Sequence, residues 1–547
     1  MSSDPLKIVV VGLDGATFDL IHPWVKEGHL PTFRRMMEEG SWGELESTMP
    51  PLTGPAWSSF MTGKNPGKHG IYDFMYRNPE GYDWITVNGT HRKGPSFWHL
   101  LGLQGKKVIV YNVPLTYPPE KANGVMISGY LTPPKAQDFV HPPELKKELE
   151  REIGFHSTFF PGATYSLGRE EKFIKAVLEM TDRTVRAMDY LMDRYPWDCF
   201  TGVFQGTDLL QHCLWKDRGH PELGKAFLDL YRRIDEYLGR LLSKLDDRTI
   251  LLILSDHGFG DLKKQIFLNT WLLSKGFLKL KSSGLGWLRR AVFEAGIVPM
   301  KIHQLSARLG MDLSNDLMEN RDSLFSFLGK VTLSLEDVDW KRTRAYAMGN
   351  MGYIFVNLRG REPEGVVAPG REYEETLREI TDRLYEMKDP ETKETVVERV
   401  FRKEDLYSGS SVSDAPDLFP MPRDFRYHLR GDYLFLSNHW IEKLWLISGF
   451  HRMNGIFMAM GGPVKKAYRL TGKKIEDIAP TILSCFGTPI PSDTDGKLMA
   501  DLFVEEFSKT LVARYADFMQ EGRQERTLSE EDQAEIRRHL KGLGYIG

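Results

Sequence analysis

Short apolar runs and longer amphipathic stretches alternate along much of this chain. Glu171–Tyr195 and Leu223–Leu245 carry apolar residues every three or four positions, which predicts helices. The apolar runs end in glycine or polar residues, as buried strands do. These expected strands are Lys7–Gly12, Lys107–Asn112, Cys199–Gln205, Thr249–Leu254 and Ile456–Met460. Strands that alternate with helices predict an α/β fold in which helices cover both faces of a mostly parallel central sheet.

The alternation stops after Asp261 and returns near residue 440. In between, proline and glycine become frequent, so we interpret residues 262–440 as a cap or lid region inserted into one α/β core. The core is expected to resume with a strand at Lys443–Ile447 and a helix at Lys474–Phe486. The sequence thus predicts four parts: the first part of the catalytic core at 1–261, the insertion at 262–440, the closing part of the core at 441–505 and a C-terminal helical extension at 506–547. In the last part, the capping pattern Ser529-x-x-Asp532 predicts a surface helix that runs to Tyr545.

Composition and charge narrow the class of protein. Of the 547 residues, 72 are Lys or Arg and 75 are Asp or Glu, so the formal net charge is −3. A protein that binds a nucleic-acid polymer usually has a strong surplus of basic residues, so we expect no such partner. Hydrophobic residues make up 41% of the chain, which is enough for a large core. The three cysteines form no C-x-x-C pair, which argues against a disulfide framework or a cysteine zinc site.

The sequence shows no apolar targeting or membrane segment. The first residues pass into the strand-like run at Lys7 without an apolar signal region, and no window holds 18 uninterrupted apolar residues. We therefore expect no secretory signal and no transmembrane segment, and the cytoplasm is the expected location.

Ionisable residues follow four of the strand-like runs. Ligands of open α/β sheets bind beyond the carboxyl ends of the strands, so side chains that follow strands are the first candidates for a functional site. Three carboxylates and three histidines occupy these positions: Asp14, Asp208, His212, Asp256, His257 and His451. The set suits a pair of divalent metal ions, with zinc as the expected metal and manganese as the alternative. Taken singly, each Asp is more often a cap or turn residue, and each His is more often an ordinary core or surface residue.

Thr53 is the candidate nucleophile. Pro55 is well placed in the first turn of a helix, which puts Thr53 and Gly54 at the helix amino end, where backbone N–H groups can bind a phosphoryl oxygen. A threonine hydroxyl is a weak nucleophile at neutral pH, but metal coordination lowers its pKa. The alternative is that Thr53 is an ordinary helix cap. Ser58 and Ser59 are competing hydroxyls, but they lie a turn or more inside the helix.

The motifs around these residues resemble the alkaline phosphatase superfamily. The nearest branches contain type I phosphodiesterases and nucleotide pyrophosphatases, together with cofactor-independent phosphoglycerate mutases. The resemblance spans about residues 7–261 and 440–500. The segments that carry it are Val11–Gly15, Pro51–Pro55, Thr62–Gly70, Thr207–His212, Ser255–Gly258, Gly449–His451 and Asp477–Leu483.

The resemblance implies a mechanism and a set of metal ligands. One metal would be held by Asp208, His212 and His451, and the other by Asp14, Thr53, Asp256 and His257. The Thr53 hydroxyl would attack phosphorus and form a phospho-enzyme, which water then hydrolyses. Two metals about 4 Å apart stabilise the entering and leaving oxygens of such a displacement.

The chain also departs from both nearest branches. Nucleotide pyrophosphatases usually place an asparagine shortly after the His-Gly-Ile segment, where this chain has Tyr72-Asp73-Phe74, and phosphoglycerate mutases usually carry serine at the position of Thr53. The expected activity is therefore that of a metal-dependent phosphoric ester hydrolase acting on a small phosphorylated substrate. The alternatives are a phosphomutase and a non-catalytic protein that binds a phosphorylated ligand.

Two further stretches have open interpretations. Residues 275–308 carry seven Lys or Arg against one acid, with Trp287 among them. They predict a solvated helix face packed on the core, a mobile lid, or a helix in peripheral contact with an acidic membrane surface. An aromatic cluster follows the Thr53 segment and either stacks a base or sugar or packs in the core. Its members are Tyr72, Phe74, Tyr76, Tyr82 and Trp84.

Overall fold

The computed structural model of the chain describes residues 6–155, 168–282, 284–308, 332–444, 446–518 and 526–542, together with positions 157, 158, 160, 163, 165 and 166. A nine-stranded sheet lies at its centre. Its strands, in chain order, are β1 (Lys7–Leu13), β2 (Ser41–Glu46), β3 (Val108–Tyr111), β4 (Gly124–Ile127), β5 (Val140–His141), β6 (Cys199–Phe204), β7 (Thr249–Leu254), β8 (Asn454–Met460) and β9 (Tyr468–Lys474).

The order of these strands across the sheet is β9-β2-β8-β7-β1-β6-β3-β4-β5. β8 is antiparallel to both of its neighbours and β5 is antiparallel to β4. The remaining neighbours pair in parallel. The sheet is therefore mixed but mostly parallel, and the predicted α/β fold class is confirmed.

Alternate residues of β1 face two separate apolar layers. Val9 and Val11 belong to one buried cluster, whereas Ile8 and Val10 belong to the other. A strand buried on both faces reads as a continuous apolar run, which is why the pattern predicted β1 with an error of one residue. The helices of the described residues are Phe18–Lys26, Pro31–Glu39, Thr53–Thr62, Pro66–His69, Phe97–Leu103, Leu145–Ile153, Glu170–Arg194, Gly206–Leu214, Leu223–Lys244, Leu268–Lys275, Leu285–Glu294, Pro299–Arg308, Arg371–Tyr385, Lys403–Leu406, Ile478–Cys485, Glu505–Ser508 and Glu530–Gly542.

Strands outside the central sheet form several smaller sheets, and most of these strands lie between β7 and β8. The strands that lie outside the central sheet are Met75–Arg77, Trp84–Thr86, Gly258–Asp261, Lys264–Phe267, Ala345–Met348, Tyr353–Val356, Val397–Arg402, Leu418–Pro422, Tyr427–Arg430, Ile441–Lys443, Gly449–Arg452, Ile490–Pro491 and Tyr515–Ala516. β8 and β9 follow this region and complete the central sheet. How the chain divides into domains stays a prediction.

Two expected elements of the closing part were wrong. Lys443–Ile447 is not a core strand: a short strand, Ile441–Lys443, ends there and pairs with Lys264–Phe267. Lys474–Phe486 is not one helix, because Lys474 ends β9 and the α-helix begins only at Ile478. The second error is one of boundary, because the short 3₁₀ turn Ile475–Asp477 separates the strand from the helix. The C-terminal helix is described up to Gly542, so the expected residues 543–545 lie outside the described part.

Within the part of the chain that the structure describes, none of the helices combines the length and the apolar character needed to cross a bilayer. The cytoplasmic location stays a prediction.

Candidate metal centre and nucleophile

The carboxyl ends of three neighbouring parallel strands bring the candidate residues to one place. Asp14 directly follows β1, and Asp256 and His257 follow β7 after one residue. Asp208 and His212 lie in the helix that begins at Gly206, directly after the end of β6. Because β6, β1 and β7 are adjacent and parallel, their ends lie at the same edge of the sheet.

His451 reaches this edge from the closing part of the chain. It lies in the strand Gly449–Arg452, which pairs antiparallel with Gly258–Asp261, so that His451 is opposite Phe259. The strand Gly258–Asp261 begins next to His257, and the two imidazole rings stack with centroids 3.6 Å apart. We call Asp14, Asp208, His212, Asp256, His257 and His451 the Asp/His cluster.

One half of the cluster contains Asp208, His212 and His451. Their facing atoms lie within contact distance: His212 Nε2 is 3.2 Å from Asp208 Oδ1, His451 Nε2 is 3.4 Å from the same oxygen, and the two Nε2 atoms are 2.9 Å apart. Asp208 and His212 are separated by four positions, which puts both on one face of their helix. This half supplies two imidazole nitrogens and a carboxylate.

The other half contains Asp14, Asp256 and His257, with Thr53 beside it. His257 Nε2 is 3.6 Å from Asp14 Oδ1 and 3.2 Å from Asp256 Oδ2. The hydroxyl oxygen of Thr53 is 3.3 Å from the same nitrogen. His257 can also be grouped with Asp208 and His451, so it lies between the two halves.

Backbone carbonyl groups orient all three imidazoles of the cluster. Nδ1 of His212 is 3.1 Å from the carbonyl oxygen of Gly449. Nδ1 of His257 is 3.1 Å from the carbonyl oxygen of Gly258, and Nδ1 of His451 is 2.8 Å from that of Pro51. A carbonyl oxygen only accepts hydrogen bonds, so each Nδ1 carries the proton and each Nε2 of a neutral ring presents a lone pair to the cluster. This orientation is the usual one for histidine ligands of a metal.

Burial perturbs the ionisation of the cluster. It raises the pKa of Asp14 well above its usual range and that of Asp256 to about 8, and in both cases neighbouring carboxylates add to the effect. Burial also lowers the pKa of His257 well below its usual range and that of His451 to about 4. Burial alone would raise the pKa of Asp208, but the imidazoles of His212 and His451 hold it well below its usual range.

The donor set fits divalent metal ions. Asp14 Oδ1 and Asp256 Oδ2 are buried and have no hydrogen-bond partner among the described residues. Buried carboxylate oxygens without partners are costly, and a cation at this position would satisfy them. Three carboxylates and three imidazoles within one buried cluster are the ligand types that zinc and manganese accept.

Thr53 begins its helix, as the position of Pro55 predicted. The residue before it, Leu52, is extended and its side chain caps no backbone N–H. The N–H groups of a first helical turn have no intrahelical acceptors, and the helix dipole favours an anion there. The hydroxyls of Ser58 and Ser59 both donate to backbone carbonyls: Ser58 donates to Gly54 O, and Ser59 donates to Lys64 O.

Sequence reasoning missed the residues that support the carboxylates. Trp57 Nε1 donates to Asp14 Oδ2 at 3.2 Å, and the backbone N–H of Gly15 donates to Asp256 Oδ1 at 3.2 Å. Gly12 makes the first contact feasible, because a Cβ at this residue would overlap with the Trp57 indole and lie 2.9 Å from Val203. The only available signal was the four-residue spacing of Thr53 and Trp57, which puts both on one helix face.

The aromatic cluster is packed rather than open. Trp84 and Phe74 are buried, and Tyr82 stacks on Trp340 with ring centroids 3.5 Å apart. The Tyr82 hydroxyl donates to Asn357, which lies between β7 and β8 in the chain. Packing is therefore the better interpretation of this stretch.

Residues 275–308 form the end of one helix and two further helices, Leu285–Glu294 and Pro299–Arg308. Trp287 is 61% exposed and Leu288 is 48% exposed, whereas Phe293 is buried against Phe435. A lid function and peripheral contact with a membrane surface both stay predictions.

Comparison with known proteins identifies a family. The profile described as type I phosphodiesterase/nucleotide pyrophosphatase matches residues 8–434. No curated protein sequence matches the chain. The profile match agrees with the resemblance that the motifs show.

Solved structures extend the similarity to most of the chain. Human ectonucleotide pyrophosphatase/phosphodiesterase 5 aligns at 14% identity with a TM-score of 0.49, over 91% of this chain and 99% of that chain. An inactive form of the murine protein in complex with AMP aligns at 14% identity with a TM-score of 0.49, over 91% and 100% of the two chains. Phosphonoacetate hydrolase from Sinorhizobium meliloti 1021 in complex with phosphonoformate aligns at 14% identity with a TM-score of 0.51, over 88% and 95%. At this identity the last similarity shows the shared fold alone.

Proposed function

The chain belongs to the type I phosphodiesterase/nucleotide pyrophosphatase family, and we propose that it is a metal-dependent phosphoric ester hydrolase in which Thr53 is the nucleophile. We further propose that Asp208, His212 and His451 hold one divalent metal and that Asp14, Thr53, Asp256 and His257 hold a second. Zinc is the proposed metal, with manganese as the alternative. The substrate class is a small phosphorylated molecule.

The observation that carries this proposal is the position of the Thr53 hydroxyl. It lies at the amino end of a helix, 3.3 Å from His257 Nε2, at the edge of a buried cluster of carboxylates and imidazoles. A helix amino end favours a phosphoryl oxygen, and the cluster favours cations. A hydroxyl between an anion site and a cation site is well placed to attack phosphorus.

The reaction can be written with its bonds in balance. Thr53 Oγ1 gives up its proton and forms a bond to phosphorus as the bond from phosphorus to the ester oxygen breaks, and the leaving oxygen takes up one proton as the alcohol departs. Water then attacks the phosphothreonine and restores the hydroxyl. When bound, two divalent metals would lower the pKa of the attacking hydroxyl and offset the charge on the phosphoryl oxygens.

The chain's own groups would orient these partners. The backbone N–H groups at the start of the Thr53–Thr62 helix would hold a phosphoryl oxygen, while the carbonyls of Pro51, Gly258 and Gly449 keep the three Nε2 atoms facing the cluster. Trp57 and Gly15 fix the carboxylates of Asp14 and Asp256. A site held this rigidly needs little reorganisation during the reaction.

Two substitutions of Thr53 test its proposed role as the nucleophile. Thr53→Ala removes the hydroxyl, and we expect turnover of p-nitrophenyl phosphate and bis(p-nitrophenyl) phosphate, assayed with zinc and with manganese, to fall by at least about 10³-fold. Thr53→Ser is the matched control, because it keeps the hydroxyl and removes only a methyl group, and it should retain measurable turnover. Metal content should stay near two ions per chain in both variants.

The outcomes distinguish the candidate functions. Full activity of Thr53→Ala would refute the assigned nucleophile. Release of free phosphate or a free phosphomonoester identifies a hydrolase, whereas a positional isomer of a phosphorylated substrate identifies a phosphomutase. Binding of phosphorylated ligands without turnover in the unmodified protein, loaded with either metal, would identify a binding protein.

A further inference from the structure

A cavity lies at the carboxyl edge of the central sheet, next to the Asp/His cluster. We call it the edge cavity and define it by Tyr130, Leu131, Thr158, Gln205, Leu209 and Ile536. Gln205 directly follows β6, and Tyr130 follows β4 after two residues. The cavity therefore occupies the place where open α/β sheets bind their ligands.

The edge cavity is lined by residues that neighbour Asp208, a member of the Asp/His cluster, in the chain. Gln205 directly precedes the helix that carries Asp208, and Leu209 is the residue after Asp208 in that helix. The carboxylates of Asp208 and Asp14 act on the Tyr130 hydroxyl, whose pKa is raised well above its usual range by burial and then by these two charges. A substrate whose phosphoryl group lay at the cluster would thus have its neighbouring atoms at this cavity.

Two buried polar atoms in the cavity wall have no hydrogen-bond partner among the described residues. They are Gln205 Nε2 and Thr158 Oγ1. The Gln205 side chain is only 8% exposed, so water does not readily satisfy its amide. A buried amide donor without an acceptor is unfavourable, which indicates that a polar group belongs there.

Residues that follow β3 and β4, near the edge cavity, have positive φ values. Asn112 and Leu131 follow the ends of β3 and β4 with φ values of 60° and 72°, and Leu115 has a φ of 56°. Leucine rarely adopts this left-handed conformation, because its Cβ then lies too close to the following carbonyl oxygen. Leu115 also lies against Gly54, the neighbour of Thr53. Strain of this kind is concentrated at functional sites.

We infer that the edge cavity binds an uncharged, hydroxyl-bearing part of the substrate, beside the phosphoryl group that the cluster would hold. This inference rests on the proposed function. None of the six residues that define the cavity carries a formal charge, so a second phosphate is disfavoured there. A hydroxyl can accept from Gln205 Nε2 and donate to Thr158 Oγ1, so it satisfies both buried atoms. The cavity volume of about 30 Å³ admits a small substituent and not a large ring.

The competing explanation is that ordered water fills the cavity and satisfies the same atoms. Substrate selectivity separates the two explanations, because a structural water does not distinguish substrates. The probes are two diesters with the same leaving group, 4-nitrophenyl 2,3-dihydroxypropyl phosphate and 4-nitrophenyl propyl phosphate. They differ only in the hydroxyl groups of the second substituent, and nitrophenolate release reports both.

We expect kcat/KM of the unmodified protein to favour the dihydroxypropyl diester by about tenfold or more, as expected for one buried hydrogen bond. Gln205→Leu should bring the ratio near one. Gln104→Leu is the matched control, since it makes the same change at an exposed helix end and should keep the ratio. Ile536→Phe fills the cavity and leaves the Gln205 side chain in place, so it should also bring the kcat/KM ratio of the two diesters near one. This variant provides the test if Gln205→Leu does not fold.

Binding to Thr53→Ala, measured by calorimetry, makes the test independent of turnover. Turnover of both diesters with a ratio near one in the unmodified protein would overturn the inference and leave the proposed function intact. A second outcome is that neither diester is turned over but the dihydroxypropyl diester binds about tenfold more tightly. If this difference were lost in the double variant Thr53→Ala/Gln205→Leu, the result would support the cavity and refute the hydrolase. Equal or absent binding of the two diesters without turnover, or a preference that survives both cavity variants, would overturn the inference.

Discussion

In the metal-free protein, we expect Asp256→Asn to increase the free energy of unfolding although it removes a proposed metal ligand. Asp256 is fully buried among like charges, and its Oδ2 has no hydrogen-bond partner among the described residues. An asparagine keeps the acceptor for the Gly15 N–H and places an N–H donor near His257 Nε2, which is 3.2 Å from Oδ2 in the present structure. The substitution therefore removes a carboxyl group that the folded metal-free protein holds protonated and that ionises on unfolding.

The pKa of Asp256 sets the size of the effect. Burial, followed by the charge of Asp208, raises this pKa from 3.8 to about 8. Each pKa unit corresponds to about 1.4 kcal/mol, so the folded metal-free protein at pH 7 carries an unfavourable contribution of up to about 4 kcal/mol. Because Asp14 and Asp208 titrate together with Asp256, we expect the measured gain to be about 2–4 kcal/mol.

The sign of the pH dependence follows from the direction of the shift. A carboxyl group with a raised pKa in the folded state contributes full stability below its unfolded pKa near 4 and loses that contribution as pH rises toward 8. The advantage of Asp256→Asn should therefore grow with pH between 5 and 8, by up to about 1.4 kcal/mol per pH unit. Urea unfolding of chelator-treated protein across this pH range is the measurement, and added metal should stabilise the unmodified protein more than the variant.

Asp417→Asn is the matched control, because Asp417 is equally buried but fully paired. Its carboxylate accepts from Arg361, Lys403 and Tyr373 and from the backbone N–H of Val356. Removing this charge leaves buried cations without their partner, so this variant should be destabilised by about 3–5 kcal/mol. If both variants lost stability to a similar extent at pH 8, the reasoning from like-charge repulsion would be refuted.

Two further predictions concern the support of Asp14. Gly12→Ala should lower the free energy of unfolding by about 1–3 kcal/mol in a denaturant titration, because the new methyl group overlaps with the Trp57 indole; unchanged stability would contradict this close approach. Trp57→Phe removes the hydrogen bond to Asp14 Oδ2 and should weaken metal affinity by about 10–100-fold in a competition titration with a coloured chelator, whereas Phe60→Leu, in the same helix, should leave affinity near the unmodified value.

The sequence predicted the central sheet well because burial on both faces gives a direct signal. β1, β6 and β7 are continuous apolar runs, and their expected bounds differ from the observed ones by at most one residue. The antiparallel orientation of β8 had no such signal, since strand direction depends on where the preceding chain ends. The small sheets between β7 and β8 were also missed, because their strands are short and only partly apolar.

The candidate cluster was predictable for a related reason. Asp14, Asp208 and Asp256 each follow a strand, so a rule about strand ends was sufficient to find them. The groups that orient the cluster could not be found in this way. Gly449, Gly258 and Pro51 act through their carbonyl oxygens, which every residue possesses, and only the folded chain shows which carbonyl faces which imidazole.

The distribution of unsatisfied buried groups supports the proposed site independently of any family likeness. A buried carboxylate away from the sheet edge can be paired at both oxygens: Glu120 accepts from Arg92, Ser96 and Trp98. At the edge, Asp14 and Asp256 keep oxygens without partners, and the neighbouring Gln205 amide does the same. A chain selected for stability alone would replace or pair such groups, because each costs free energy in the folded state. At Asp14, Asp256 and Gln205 the unsatisfied atoms are explained by the proposed ligands, cations at the cluster and a polar substituent at the edge cavity.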